Sequence, residues 1–178
     1  KIKTLDSLAT RPTSVMLKRK IFDSYQSLEE YDFFDLCAGS GSIGLEAISR
    51  GANSLYMCEK NSRAFGVLKE NVEKFKNKFK VNSILIERID FIRALKKINF
   101  SHEKKYFIFF DPPYEETKLY EDFIAFLSGT EFNGVVAIEA CRQKTKSIDE
   151  FEKQFQKFDK VFKQGTSFFG IIYKKVEV

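Results

Sequence analysis

Two short segments carry the residue types best suited to chemistry. The first is Asp111-Pro112-Pro113-Tyr114, which follows an apolar run over residues 106–110. Proline lacks a backbone N–H and restricts the residue before it, so this tetrapeptide predicts a stiff turn at the end of a buried strand. The Asp111 carboxylate and the Pro112 carbonyl could accept both hydrogens of a planar amine, while Tyr114 could stack on the attached base. Such a site would orient a weakly nucleophilic amine towards an electrophile.

The second segment is a glycine-rich loop. Gly39, Gly41 and Gly44 match the pattern G-x-G-x-x-G between a predicted strand and a predicted helix, and the loop also contains Ala38 and Ser40. Glycines let a nucleotide-like ligand approach the backbone closely because no Cβ atoms intervene. We therefore expect all five residues to line a ligand site.

Carboxylates on either side of this loop indicate which nucleotide it holds. Glu59 ends the next predicted strand, where it could accept hydrogen bonds from two ribose hydroxyls, and Lys60 follows it. Asp35 precedes the loop and would repel a pyrophosphate, but it would pair well with the ammonium of a methionine moiety. Together with Asp111, this pattern favours S-adenosyl-L-methionine over a dinucleotide. A dinucleotide-dependent oxidoreductase is the alternative.

A third pair of residues could complete the same site. Asp90 and Phe91 follow the third predicted strand. Asp90 could accept a hydrogen bond from the adenine amine while Phe91 packs on the ring. Alternatively, Asp90 only caps the helix that begins at Phe91, and it can do both.

The elements that must position these residues alternate between strands and helices, which predicts an α/β fold with a mostly parallel sheet. Seven strands are predicted at 32–36, 54–59, 83–87, 106–110, 134–139, 160–163 and 167–174. Six helices are predicted at 14–27, 43–50, 62–75, 91–98, 118–127 and 148–158. Only residues 164–166 join the last two strands, so these should form an antiparallel hairpin at one edge of the sheet.

Bulk properties limit the class of protein. The 178 residues predict a single domain, and the net charge of +5 with a pI near 9.0 is compatible with a nucleic-acid partner. Three widely spaced cysteines and one histidine do not form a zinc or disulfide pattern, so we expect no metal and a cytoplasmic location. No apolar stretch is long enough to cross a membrane.

The chain resembles the bacterial methyltransferases that modify the exocyclic N2 of a guanine in 16S ribosomal RNA. The matching stretches extend over most of the sequence, at 11–13, 35–47, 49–51, 111–114, 119–120, 138–139 and 165–173. In the helix after Arg11-Pro12-Thr13, this chain has Val15, Met16 and Arg19 where that family usually has an acidic residue, an arginine and a glutamate.

The resemblance implies a Rossmann-like class I methyltransferase fold with three layers, α/β/α, around a seven-stranded sheet. It implies an N-terminal substrate-side segment at 1–28 and a core at 29–178, acting as a monomer on 16S ribosomal RNA or the assembling small subunit. The cofactor would be S-adenosyl-L-methionine, bound by Asp35, Ala38, Gly39, Ser40, Gly41, Gly44, Glu59, Lys60, Asp90, Phe91 and Asp111. Asp111, Pro112, Pro113 and Tyr114 would be catalytic, and Arg11, Pro12, Thr13, Lys18, Arg19 and Tyr114 would contact the substrate.

Two other functions fit the same residues. An adenine-N6 methyltransferase acting on DNA or RNA could use the same tetrapeptide, because any planar amine presents the same two hydrogens. A non-catalytic RNA-binding module could keep the fold after losing turnover.

Overall fold

The computed structural model describes residues 3, 12–79, 83–141, 147–154 and 157–176, without the side chains of 12–15 and 154. Arg11 and the basic run 142–146 lie outside the described residues. In chain order the elements are α1 (Pro12–Ser24), β1 (Tyr31–Asp35), α2 (Ser42–Ser49), β2 (Ser54–Cys58), α3 (Ser62–Phe79), β3 (Ile84–Glu87), α4 (Phe91–Leu95), β4 (Lys105–Phe110), α5 (Thr117–Ser128), β5 (Asn133–Cys141), α6 (Ile148–Gln154), β6 (Lys160–Gln164) and β7 (Ser167–Lys174).

The strands form one seven-stranded sheet in the order β3-β2-β1-β4-β5-β7-β6. The pairs among β1 to β5 are parallel, whereas β7 runs antiparallel to both β5 and β6. The mostly parallel sheet and its antiparallel hairpin are therefore confirmed. The strand order reverses between β1 and β4, and open α/β sheets bind ligands beyond the carboxyl ends of the strands at such a point.

Helices cover both faces of the sheet, which gives the three layers. On one face, α1, α2 and α3 pack through residues such as Leu17, Ile43 and Leu68, and on the other α4, α5 and α6 pack through residues such as Leu95 and Phe123. Alternate side chains of β4 enter these two layers, because successive residues of a strand point to opposite faces. This explains why the strand is apolar at every position from 106 to 110.

Local signals set several of the element boundaries. The side chain of Asn61 accepts hydrogen bonds from the backbone N–H groups of Arg63 at 3.0 Å and Ala64 at 3.1 Å, which starts α3. All predicted strands and helices are present, but α4 ends at Leu95 instead of residue 98, and α1 begins and ends earlier than expected. Within the described residues, no helix combines the length and apolarity that a bilayer crossing requires.

Candidate active site

Four acidic residues gather at the carboxyl ends of neighbouring strands. Asp35 is the last residue of β1, Glu59 follows β2, Asp111 follows β4, and Glu139 lies near the end of β5. In the sheet register Asp35 pairs with Phe109, two residues before Asp111. Since adjacent strands are about 4.8 Å apart, the glycine loop after β1 and the D-P-P-Y turn after β4 begin side by side.

Hydrogen bonds hold the glycine loop in a tight turn. Gly41 donates its N–H to the carbonyl of Ala38 at 2.7 Å, and Ala38 donates to the carbonyl of Cys58 at 3.0 Å. From α3, the buried Asn71 side chain donates to the carbonyl of Ser40 at 2.9 Å. The loop is therefore fixed to both β2 and α3.

The three glycines of the motif serve different purposes. Gly39 and Gly41 have φ values of 55° and 81°, in the left-handed region that favours glycine. A Cβ atom on Gly41 would lie 2.4 Å from Leu68 Cδ1, and one on Gly44 would lie 2.5 Å from Met57 Sδ. A Cβ atom on Gly39 would meet nothing within 4 Å. Gly41 and Gly44 thus permit close internal packing, whereas Gly39 faces open space where a ligand could approach.

Asp35 is almost completely buried beside this loop. Its Oδ2 accepts a hydrogen bond from the N–H of Gly44 at 3.2 Å, and the residue is 2% exposed. Burial raises the pKa of Asp35 to about 7; the positive charge of Lys18 opposes the rise and the negative charge of Asp111 adds to it. The glycine loop and the D-P-P-Y turn therefore share one electrostatic environment.

Glu59 anchors the other side of the loop. One carboxylate oxygen accepts from the N–H of Gly39 at 3.0 Å and the other from the N–H of Asn61 at 2.7 Å. Each carboxylate oxygen has two lone pairs, so acceptor capacity for hydroxyl groups remains. Glu59 is half-buried, which leaves part of it accessible.

The D-P-P-Y segment forms the turn that the two prolines predict. The carbonyl of Pro113 accepts a hydrogen bond from the N–H of Glu116 at 3.1 Å, which closes the turn. Pro112 is buried, Pro113 is exposed, and Asp111 and Tyr114 are half-buried. The Tyr114 hydroxyl donates to Glu139 Oε1 at 2.5 Å, so β5 holds the tyrosine ring in place.

Lys18, for which the resemblance implied a substrate contact, lies close to two acids. Its ammonium is 2.7 Å from Asp111 Oδ2 and 3.9 Å from Glu139 Oε2. The side chain is only 18% exposed. α1 therefore directs this lysine inwards to the carboxylates, and its contact with the substrate stays a prediction. Its neighbour Arg19 is exposed.

Glu139 is a site residue that sequence reasoning did not assign. It is 0% exposed, Oε2 has no hydrogen-bond partner, and its backbone carbonyl accepts from the Tyr120 hydroxyl at 3.0 Å. Burial and the charge of Asp111 raise the pKa of Glu139 to about 8, although Lys18 opposes this shift. An acid inside the otherwise apolar strand Val135–Cys141 was the signal that could have identified it, because buried carboxylates need a partner.

The remaining predicted residues lie at the edges of this site. The Asp90 side chain caps α4 by accepting from the N–H of Arg93 at 3.0 Å, as the alternative reading expected. Phe91 is 5% exposed, and its ring centroid lies 4.8 Å from that of Phe110. Phe91 thus belongs to the core on this face of the sheet, and its contact with the cofactor stays a prediction. Lys60 forms an exposed ion pair with Glu116 at 3.1 Å.

Three predicted substrate contacts cannot be placed as side chains. Pro12 and Thr13 begin α1, but only their backbone is described, and Arg11 lies outside the described residues. Across the part of the chain that the structure describes, no group of three or more metal-ligating side chains is assembled.

Comparison with known proteins gives relatives for nearly the whole chain. A family model described as conserved hypothetical protein 95 matches residues 1–169. Ribosomal RNA small subunit methyltransferase D of Buchnera aphidicola (subspecies Baizongia pistaciae) is 31% identical over 121 residues, 67% of this chain and 58% of that protein. A Bacillus subtilis protein provisionally named an rRNA methyltransferase is 31% identical over 119 residues, 66% of this chain and 63% of that protein.

The fold is shared with solved structures. A Haemophilus influenzae protein provisionally named a methylase has a TM-score of 0.68 at 22% identity over 93% of this chain and 100% of that one. The chain spans less than two thirds of the length of the curated relatives it matches, at 58% and 63%. The family match nevertheless covers residues 1–169, so the chain belongs to the family described as conserved hypothetical protein 95, together with the rRNA methyltransferases that resemble it.

Proposed function

We propose that this protein transfers a methyl group from S-adenosyl-L-methionine to the exocyclic N2 amine of a guanine in 16S ribosomal RNA. The observation that carries the proposal is the side-by-side position of the glycine loop and the D-P-P-Y turn after β1 and β4, where their acids influence one another. The substrate would be the free RNA or the assembling small subunit, in the cytoplasm.

The residues around the glycine loop fit this cofactor. When bound, S-adenosyl-L-methionine supplies a methyl group activated by a sulfonium centre. Asp35 offers a buried carboxylate to the amino-acid ammonium, Glu59 offers acceptors to ribose hydroxyls, and the open side of Gly39 leaves room for close approach. Asp90, Lys60 and the backbone from Ala38 to Gly41 would complete the binding site.

The D-P-P-Y turn fits a planar amine. Asp111 and the Pro112 carbonyl would accept its two hydrogens, which directs the nitrogen lone pair towards the methyl donor. The ammonium of Lys18 uses one acceptor position on Asp111 Oδ2. A carboxylate has about four such positions, so Asp111 could still accept a hydrogen bond from the amine. Tyr114 would stack on the base, which contributes about 1–3 kcal/mol per base. As the new C–N bond forms, the methyl–sulfur bond would break and its electron pair would leave with sulfur as a neutral thioether, while the amine would give up one proton to a carboxylate or to water.

Support for an RNA substrate comes from charge and from the relatives. The net charge is +5, and the names of the curated relatives specify rRNA. Beside the site, Lys20 on α1 donates to the carbonyl of Lys163 on β6 at 2.8 Å, and Arg19 is exposed. These cations would contact phosphates, which position the RNA without reading its sequence.

Nucleoside analysis tests the proposal. Small subunits and 16S RNA from a strain lacking this gene are incubated with full-length protein and methyl-labelled S-adenosyl-L-methionine, and the digested RNA is separated by chromatography. We expect the label in N2-methylguanosine. Label in N6-methyladenosine would favour the adenine-N6 alternative, and RNA binding without any label would favour the non-catalytic module.

A further inference from the structure

Three ionisable groups from separate parts of the chain meet in a water-poor corner of the site. Lys18 comes from α1, Asp111 from the turn after β4 and Glu139 from β5. The lysine ammonium lies 2.7 Å from Asp111 Oδ2 and 3.9 Å from Glu139 Oε2. The side chains of Lys18 and Asp111 are 18% and 21% exposed, and that of Glu139 is 0% exposed. One cation thus serves two acids where solvent screening is weak.

Without that cation the two acids would compete for ionisation. Carboxylates that share a poorly solvated site do not both ionise readily, so they hold a proton between them. A protonated Asp111 would lose acceptor capacity, because one of its oxygens would carry a hydrogen. It would then hold the substrate amine less well. The hydrogen-bonding capacity of Asp111 therefore depends on both Lys18 and Glu139.

Glu139 also connects this corner to the stacking face. Its Oε1 accepts from the Tyr114 hydroxyl at 2.5 Å, while its backbone carbonyl accepts from Tyr120 on α5. Of the two Glu139 carboxylate oxygens, Oε2, which has no hydrogen-bond partner, is the one that forms the ion pair with Lys18. Displacement of the lysine would therefore disturb the acid that fixes the Tyr114 ring.

We propose that Lys18 is a positioning residue whose single positive charge is shared by Asp111 and Glu139 and keeps Asp111 an acceptor for the substrate amine. This rests on the proposed methyl transfer. The charged and titratable groups around the pair are Lys18 from α1, Asp35 from β1, Tyr114 in the turn and Tyr120 from α5. Burial alone would lower the pKa of Lys18, but the charges of Asp111 and Glu139 raise it above its ordinary value.

A double-mutant cycle that removes these charges tests the proposal through its pH dependence. In Lys18→Met, kcat/KM at pH 7 should fall roughly tenfold, because the two acids would then hold a proton between them, and it should recover as the pH is raised. In the double variant Lys18→Met/Glu139→Gln, Asp111 no longer competes with a second acid, so part of the loss at pH 7 should be restored. Lys18→Arg should retain most activity.

Lys104→Met is the matched control. It removes a lysine–aspartate pair of similar length, 2.8 Å to Asp32, at the opposite end of the sheet. This variant should leave both the rate and its pH profile unchanged. A double variant that is no faster than Lys18→Met at pH 7, or a Lys18→Met loss that is the same at every pH, would overturn the proposal.

Thermal unfolding gives a readout that needs neither substrate nor turnover. Lys18→Met should lower Tm more at pH 9, where both acids ionise, than at pH 5, and Glu139→Gln should reduce that difference. Equal Tm losses at the two pH values in both backgrounds would overturn the shared-cation proposal. If the wild-type protein labels no RNA but shows this unfolding pattern, the proposed function fails while the electrostatic coupling of Lys18 stands.

Discussion

At the scale of single residues, the site depends on acids that lie in unfavourable surroundings. Asp35 and Glu139 are 2% and 0% exposed, and burial raises the pKa of each towards neutrality. Surroundings of this kind are common where a protein must bind charge or transfer protons. We therefore expect Glu139 to make the stability of the protein depend on pH, and Asp35 to do the same for its affinity for the cofactor.

Glu139→Gln should change how stability depends on pH. The pKa of Glu139 rises from an ordinary 4.5 to about 8 in the folded protein, so between these values the folded state holds a proton that the unfolded state has released. Stability of the wild type should therefore fall as pH rises through this window and then level off. The free energy of unfolding of the variant, relative to that of the wild type, should therefore increase as the pH is raised from 5 to 9. The increase should reach up to a few kcal/mol, since one pKa unit corresponds to about 1.36 kcal/mol. Urea unfolding at pH 5, 7 and 9 measures this, and a difference that does not change with pH would contradict it.

Asp35→Asn should change how cofactor affinity depends on pH. Burial raises the pKa of Asp35 to about 7, and a cationic ammonium binds best to the ionised form. Affinity of the wild type for S-adenosyl-L-methionine should therefore increase from pH 6 to pH 8, by roughly tenfold per unit at most. The asparagine variant should bind more weakly at pH 8 and show no such rise. Calorimetry in two buffers of different ionisation enthalpy measures affinity and proton release together; wild-type binding without proton release near pH 7 would refute the assignment.

At the scale of elements, the glycine loop is shaped by close packing of α2 on β2. Gly44 lies in α2, and a Cβ atom there would come within 2.5 Å of Met57 Sδ and 2.8 Å of Leu55 Cδ1. The same helix donates the Gly44 N–H to Asp35. A shift of α2 would therefore move the loop and the acid together.

Gly44→Ala should destabilise the protein by about 1–3 kcal/mol, the usual effect of overpacking a core, and should weaken cofactor binding. Gly66→Ala is the matched control, because Gly66 lies in α3 with nothing within 4 Å of the added Cβ. This control should be stabilised by about 0.5–1 kcal/mol through helix propensity. Chemical denaturation of both variants compares them. Equal changes in the free energy of unfolding would show that α2 can accommodate a Cβ atom at Gly44, which would contradict this prediction.

At the scale of the whole molecule, the spacing of apolar residues along the sequence predicted the architecture but not every side-chain contact. The buried strand Lys105–Phe110 and the amphipathic helix Ser62–Phe79 have clear patterns, and the strand-end rule brings Asp35 and Asp111 to one edge of the sheet. The ion pair between Lys18 and Asp111 depends on how α1 crosses the sheet, which no local pattern encodes. For the same reason, the sequence did not predict that the Phe91 ring packs against that of Phe110.

Single-turnover methyl transfer by Asp111→Ala tests the central claim most directly. The central claim is that the glycine loop binds the methyl donor and the D-P-P-Y turn binds the acceptor amine of one reaction, with Asp111 accepting a hydrogen bond from the amine. The variant should lose transfer to small-subunit RNA by at least about a hundredfold, within the usual range for a group that acts in the transition state. Its affinity for S-adenosyl-L-methionine, measured by calorimetry, should change far less. Transfer at the wild-type rate by the variant would contradict the account.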